Sequence, residues 1–149
     1  MKLSTRCKYA VTALFDMAFH SAGVGTQVRQ IAQRQNIPMR FLEQIFQDLR
    51  RADIVTGKRG RNGGYVLAKQ TSDISILDIV LATDGPIEFS NSPASESVGT
   101  NEPDVPKLLW TDIELEFAEI LAARSLASMV DRAIKLGVPR GEPGYMYFI

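Results

Sequence analysis

Met39-Arg40-Phe41-Leu42-Glu43-Gln44-Ile45-Phe46-Gln47-Asp48-Leu49-Arg50-Arg51 is followed, after a short break, by Ile54-Val55 and then by Gly57-Lys58-Arg59-Gly60-Arg61-Asn62-Gly63-Gly64-Tyr65-Val66-Leu67. In the first segment Leu42, Ile45, Phe46 and Leu49 recur at helical spacing, so they predict one apolar face of a helix over 39–51. Pro38, just ahead of it, is comfortable only in a first helical turn, because its ring fixes φ and removes a donor. The opposite face then carries Arg40, Glu43, Gln44 and Gln47 at i, i+3, i+4 and i+7, with Arg50 and Arg51 at the end. Long side chains with hydrogen-bonding heads are the kind that reach base edges in a major groove. The second segment changes period. Ile54-Val55 and Tyr65-Val66-Leu67 predict two short strands, and Asn62-Gly63 between them predicts a tight hairpin turn with positive φ at both central positions.

Working outward towards the N-terminus, Val11, Leu14, Phe15, Ala18 and Phe19 predict a helix over 5–21, ended by Gly23 and Gly25. Val28, Ile31 and Ala32 predict a short second helix, broken near Asn36. Two short helices, the second polar on one face, and then a hairpin carrying Lys58, Arg59, Gly60, Arg61 and Asn62 form the layout of a winged helix-turn-helix. In that layout the recognition helix enters the major groove and the wing reaches backbone or minor groove. The fold class expected is mainly α with a small β-hairpin wing, the DNA-binding domain spanning 1–83.

Towards the C-terminus, Ser75 and Asp78 have the spacing of a capping box, opening a helix that Asp84-Gly85-Pro86 stops. Residues 84–106 are rich in proline and serine with little periodicity, and are expected to be a linker. Leu108, Ile113, Leu115, Phe117, Ile120 and Leu121 mark a long amphipathic helix, and Leu126, Met129, Val130 and Ile134 a shorter one. Residues 107–136 are expected to be dimerisation helices and 137–149 a tail. A long helix outside a compact domain must bury its stripe, and the same helix of a second copy would set two recognition helices about one duplex turn apart.

Formal charge supports the same division. Residues 1–70 hold 12 Lys or Arg against 4 Asp or Glu, leaving +8, and residues 71–149 hold 5 against 13, leaving −8. A basic half suits a polyanion and an acidic half suits protein. No apolar run approaches the roughly 20 residues that cross a bilayer, and Met1–Arg6 has charge without a following apolar stretch. A cytoplasmic location without membrane partners is therefore expected. One histidine, one cysteine and no phosphate-binding glycine loop are poor material for an enzyme. The competing expectation is a protein-interaction regulator acting through an enzyme partner, against which the cations from Arg40 to Arg61 argue.

Met1-Lys2-Leu3-Ser4-Thr5-Arg6 with Tyr9-Ala10-Val11, Phe41-Leu42-Glu43-Gln44-Ile45-Phe46, and Arg59-Gly60-Arg61-Asn62-Gly63-Gly64-Tyr65 resemble the Rrf2 family of bacterial regulators, a likeness that continues to Trp110 and covers all but about the last dozen residues. The resemblance implies a sequence-specific regulator, usually a repressor, that binds double-stranded operator DNA as a homodimer and controls iron–sulfur, redox, iron or cysteine homeostasis. It also implies that Glu43 and Gln44 contact bases, that Arg59 and Gly60 belong to the wing, and that Lys2 and Tyr9 lie near phosphates.

The chain departs from the family's iron–sulfur branch at the linker, where such relatives carry three cysteines and often a histidine. The corresponding positions here are Ser92, Val98, Asp104 and Lys107. Iron–sulfur clusters need thiolate, which neither serine nor a lysine ammonium replaces, so no cofactor or metal is expected in the chain as written. The alternative is that linker serines such as Ser92, among Ser90, Ser92, Ser95 and Ser97, stand where the native sensor has cysteines and binds a cluster. Cys7 is expected to be a half-buried structural residue, with redox sensing as the alternative. His20, at a helix C-terminus, is expected to carry partial positive charge suited to the dipole.

Overall fold

The computed structural model describes residues 2–21, 23–89 and 102–140. Its elements run α1 (Thr5–His20), α2 (Val28–Gln35), α3 (Met39–Arg51), β1 (Val55–Lys58), β2 (Gly64–Leu67), a 3-10 turn (Thr71–Asp73), α4 (Ile76–Thr83), α5 (Val105–Ala122) and α6 (Leu126–Lys135). This is the expected mainly helical chain with one antiparallel hairpin. The linker serines Ser90, Ser92, Ser95 and Ser97, Val98, and the tail from Gly141 lie outside the described residues.

Helix α1 is the central element. Its stripe is wider than sequence periodicity suggests: Cys7, Ala10, Ala13, Leu14, Asp16, Met17 and Phe19 are buried, while Val11, Phe15 and Ala18 are half-buried. The small alanines allow close approach of α2, α3, α4 and α6 around one helix. The main core gathers Leu14, Ile31, Leu42, Ile45, Phe46, Leu49, Ile54, Ile74, Ile79 and Leu126. All four apolar positions read from the α3 sequence are fully buried.

Local chemistry sets the boundaries. The Ser4 hydroxyl caps α1 by accepting the Cys7 N–H at 3.0 Å. Asn36 ends α2 with φ 52°, a left-handed conformation asparagine tolerates. Ser75 and Asp78 form the expected reciprocal capping box, the Asp78 N–H donating to Ser75 Oγ at 3.1 Å and the Ser75 N–H to Asp78 Oδ2 at 2.9 Å.

The hairpin differs from expectation at its tip. Register Lys58↔Gly64 leaves residues 59–63 as the connection, and neither Asn62 nor Gly63 has positive φ. Positive φ falls instead on Gly60 (111°) and Gly64 (133°), and the Gly63 N–H donates to the Gly60 carbonyl at 2.9 Å. The reason is tertiary. Thr26 and Tyr65 exchange backbone hydrogen bonds at 2.9 and 2.8 Å, docking the hairpin onto the α1–α2 connection. A side chain on Gly64 would collide with the Thr26 carbonyl there.

The C-terminal helices also depart from the simple division. Helix α5 starts at Val105, inside the expected linker. Helix α6 packs back on its own domain: Leu126 and Met129 join the main core, and the Leu126 N–H donates to the Ile74 carbonyl at 2.8 Å. Its inner face is therefore packed on residues 1–83 of the same chain, while Ile134 stays exposed. Phe117 and Leu121 of α5 pack in a second cluster with Leu3, Cys7, Val80 and Ile87.

Candidate nucleic-acid interface

Burying Leu42, Ile45, Phe46 and Leu49 turns the rest of α3 outward by geometry alone. Arg40, Glu43, Gln44, Gln47, Arg50 and Arg51 are all exposed. At the α3 N-terminus the Arg40 guanidinium lies 5.1 Å from the Phe41 ring centre, and Phe41 in turn meets Tyr9 of α1 with ring centres 6.1 Å apart. Tyr9 is half-buried and packs on the core, whereas Lys2 is exposed just ahead of α1. Lys58, Arg59, Gly60, Arg61 and Asn62 are exposed at the far end of the hairpin. Phe46 and Tyr65, with ring centres 4.8 Å apart, tie the recognition helix to the wing's second strand.

Two carboxylates that sequence reading passed over hold this surface in place. Asp16 has no exposed surface, yet it accepts hydrogen bonds from Arg34 Nε at 3.1 Å, Arg34 Nη2 at 2.5 Å and Gln35 Nε2 at 2.7 Å. This forked pair fastens α2 to α1. Asp48, on the flank of α3, pairs with Arg6 of α1 and with Arg51 Nη1 at 3.0 Å. The sequence signal for Asp16 was available: one carboxylate between Phe15 and Met17 on an apolar helix demands a buried partner.

A third carboxylate acts at the other end of α1. Asp84, which ends α4, accepts from the Ser4 N–H at 2.9 Å and from the Ser4 hydroxyl. The segment after it also stays close, since the Phe89 N–H donates to Glu114 of α5 and the Phe89 and Phe117 rings meet at 6.1 Å. On α5 the expected dimer residues divide. Leu108, Leu115 and Ile120 are 54%, 61% and 53% exposed, Ile113 and Phe117 are half-buried, and Leu121 is enclosed within the chain. Val105, Leu109 and Trp110 add to the exposed apolar surface.

The residues present do not suit an iron–sulfur cluster. The only cysteine of the chain is Cys7, enclosed at 1% exposure, and burial pushes its thiol above the ordinary value; a hydrogen bond with Thr83 opposes this and Asp84 adds to it. Asp104 caps α5 by accepting the Lys107 N–H at 3.2 Å, and Lys107 is a cation. Among the described residues no three His, Cys, Asp or Glu side chains converge on a metal position. His20 corrects another expectation. Burial lowers its pKa and Arg34 lowers it further, with Asp16 opposing, so the neutral ring is favoured over a dipole-stabilised cation. Among the described residues no helix is long and apolar enough to cross a membrane.

Residues 3–132 match the model of the Rrf2 family, described as an iron-dependent transcriptional regulator. The chain is 31% identical over 130 residues to the HTH-type transcriptional regulator IscR of Sodalis glossinidius, covering 87% of this chain and 79% of that one. It is 31% identical over 138 residues to IscR of Photorhabdus laumondii, covering 93% and 84%. Among solved structures it resembles T. potens IscR with a TM-score of 0.75 and 31% identity, covering 95% of this chain and 94% of the other. It also resembles CymR, the global cysteine regulator of B. subtilis, with a TM-score of 0.71 and 31% identity, covering 89% and 98%.

Proposed function

The chain belongs to the Rrf2 family of helix-turn-helix, DNA-binding transcription regulators and is not an enzyme, and we propose that it works in the cytoplasm as a homodimeric repressor. Two α3 helices read successive major grooves of a palindromic operator while the wings of Lys58, Arg59, Gly60, Arg61 and Asn62 track the flanking backbone. Arg40, Glu43, Gln44, Gln47 and Arg50 face base edges and phosphates, and Lys2 and Tyr9 approach the backbone from α1. The observation that carries this reading is the α3 surface: every apolar side chain of its inner face is buried and every long polar one is exposed beside a cationic hairpin.

The dimer forms through the exposed α5 residues Leu108, Leu115 and Ile120, with the flank of Ile113 and Phe117 beside them. The regulated genes belong to iron–sulfur, redox, iron or cysteine homeostasis, a range supported by the family model's description as iron-dependent and by the likeness to the cysteine regulator CymR. Sensing does not use a three-thiolate cluster, because the chain has a single, enclosed cysteine. The purified protein should bind DNA equally before and after anaerobic treatment with iron and sulfide. The direct test is a footprint on the DNA upstream of its own gene, with excess competitor duplex. Protection of two half-sites about 10 base pairs apart supports the dimer reading, and no protection with no shift in a gel would overturn the proposed operator function.

A further inference from the structure

Asp48 sits on the recognition helix, one residue after Gln47 and four after Gln44, yet its side chain is only 15% exposed. It faces α1 and holds a cation from each side: Arg6 across the helix pair, and Arg51 one turn along α3 at 3.0 Å. Arg6 keeps 40% of its side chain exposed and Arg51 75%, and Arg51 follows Gln47 by one helical turn and Gln44 by two on α3, where all three are exposed. Of the four acidic residues in the basic half, Asp16 is spent on Arg34, Asp53 is exposed at the end of α3, and Glu43 lies on the reading face. Asp48 alone pairs with cations at the edge of that face.

We infer that Asp48 is a specificity-determining residue: by holding Arg6, and in part Arg51, it withdraws cations from the phosphates and lowers sequence-independent affinity. Contacts with phosphate raise binding to every duplex alike, whereas contacts with base edges raise it only for the operator. A carboxylate that neutralises an arginine beside the groove therefore weakens the first class without touching the second. An exposed ion pair is weak enough to be exchanged for phosphate, so the half-buried setting of Asp48 matters. It keeps the carboxylate in place and lets Arg6 be held while remaining near the surface. The inference rests on the DNA-binding reading above.

The test is the salt dependence of binding to a random-sequence duplex and to the operator, for the full-length protein and its Asp48→Asn variant. Each added phosphate contact steepens log affinity against log salt by about 0.9. Asp48→Asn should therefore steepen the slope by about one unit, tighten random-duplex binding at low salt, and shrink the ratio of operator to random affinity. Adding Arg6→Gln should return the slope to that of the unaltered protein. A role for Asp48 in stability alone would lower both affinities and leave the slope where it was, which would overturn the inference, as would a steep slope that persists after Arg6→Gln. Should Asp48→Asn not fold, the neutral pair Asp48→Asn with Arg6→Gln is compared with Asp48→Asn with Arg6→Lys, where the lysine should add the same unit of slope and its failure to do so refutes the idea. An unaltered protein that binds no duplex in a salt-dependent way refutes the DNA reading itself, a different outcome from a normal slope that the variants do not change.

Discussion

Replacing Asp16 by alanine removes the buried half of the pair that fastens α2 to α1. Asp16 has no exposed surface and accepts three side-chain donors' bonds from Arg34 and Gln35. Removing one partner of a buried ion pair costs about 3–5 kcal/mol, most of it from the charge left behind. Arg34 retains 19% exposure and can turn towards water, which places the expected cost near the lower end, about 3 kcal/mol. For a chain of this length that corresponds to a fall in Tm of roughly 6–12 °C. Urea unfolding should show a lower midpoint with the same m-value, because the variant exposes the same surface on unfolding. Operator binding measured well below Tm should also weaken, since α2 carries the first half of the helix-turn-helix. Asp16→Leu combined with Arg34→Met replaces the pair by apolar volume and should recover most of the stability. A single variant within about 1 kcal/mol of the unaltered protein, or a double variant no more stable than the single one, would refute the view that the charge pair holds α2.

Arg59→Ala with Arg61→Ala should lower the slope of log affinity against log salt by about two units, measured by fluorescence anisotropy, and an unchanged slope removes the wing from the interface. Glu43→Ala should relax discrimination among operator variants more than it weakens the best site, because a carboxylate accepts from a cytosine amino group but repels phosphate; competition binding reads the ratio. Leu115→Glu places a charge on an exposed apolar surface and, if that surface is the dimer seam, should cost on the order of 3–5 kcal/mol of association, seen as monomers in sedimentation. For Cys7 the raised thiol pKa predicts slower alkylation than a free cysteine at pH 8, with the rate rising only at higher pH. By linkage the unfolded thiol ionises first, so the same shift contributes stability that is complete below the unfolded pKa and lost as pH climbs through the folded one, which thermal melts above pH 9.0 would detect.

Helix α3 and its buried face were legible in sequence because it is amphipathic along its whole length, and a helical period over that span fixes both what is buried and what is not. The wing was legible in place but not in geometry. Asn62-Gly63 reads as a tight turn, yet the glycine that matters for docking is Gly64, whose need comes from Thr26 far earlier in the chain. Local turn chemistry has no access to that approach. Asp48 and Asp84 were illegible for the same reason: each is ordinary in its own neighbourhood and acquires its role from a partner on another element, whereas Asp16 stood out on an apolar helix and only its partner was hidden. His20 was misread because its helix end suggested a cation, while the packing that desolvates it belongs to the tertiary structure.

Helix α5 carries the same lesson to the point where it bears on assembly. Periodicity identifies it as amphipathic, but treats all its apolar residues as one stripe, and the structure divides them between two sides. Phe117 and Leu121, one turn apart, close over Cys7 and Val80. Val105, Leu108, Leu109, Leu115 and Ile120 are left exposed on the rest of the helix, and Trp110, two turns before Phe117, is exposed as well. A helix apolar on two sides favours cover on both, and among the described residues only one side is covered. The uncovered side belongs to the acidic half, which disfavours DNA as its cover and favours protein. A second copy brings the same apolar surface, and a two-fold axis lets the two bury each other without leaving a third copy a place to add. The side already covered also touches Leu3, beside the Ser4 that Asp84 holds. In the proposed dimer, an α5 helix pressed against its partner would lie over the cluster that Leu3 joins at the N-terminus of α1, one residue after the exposed Lys2.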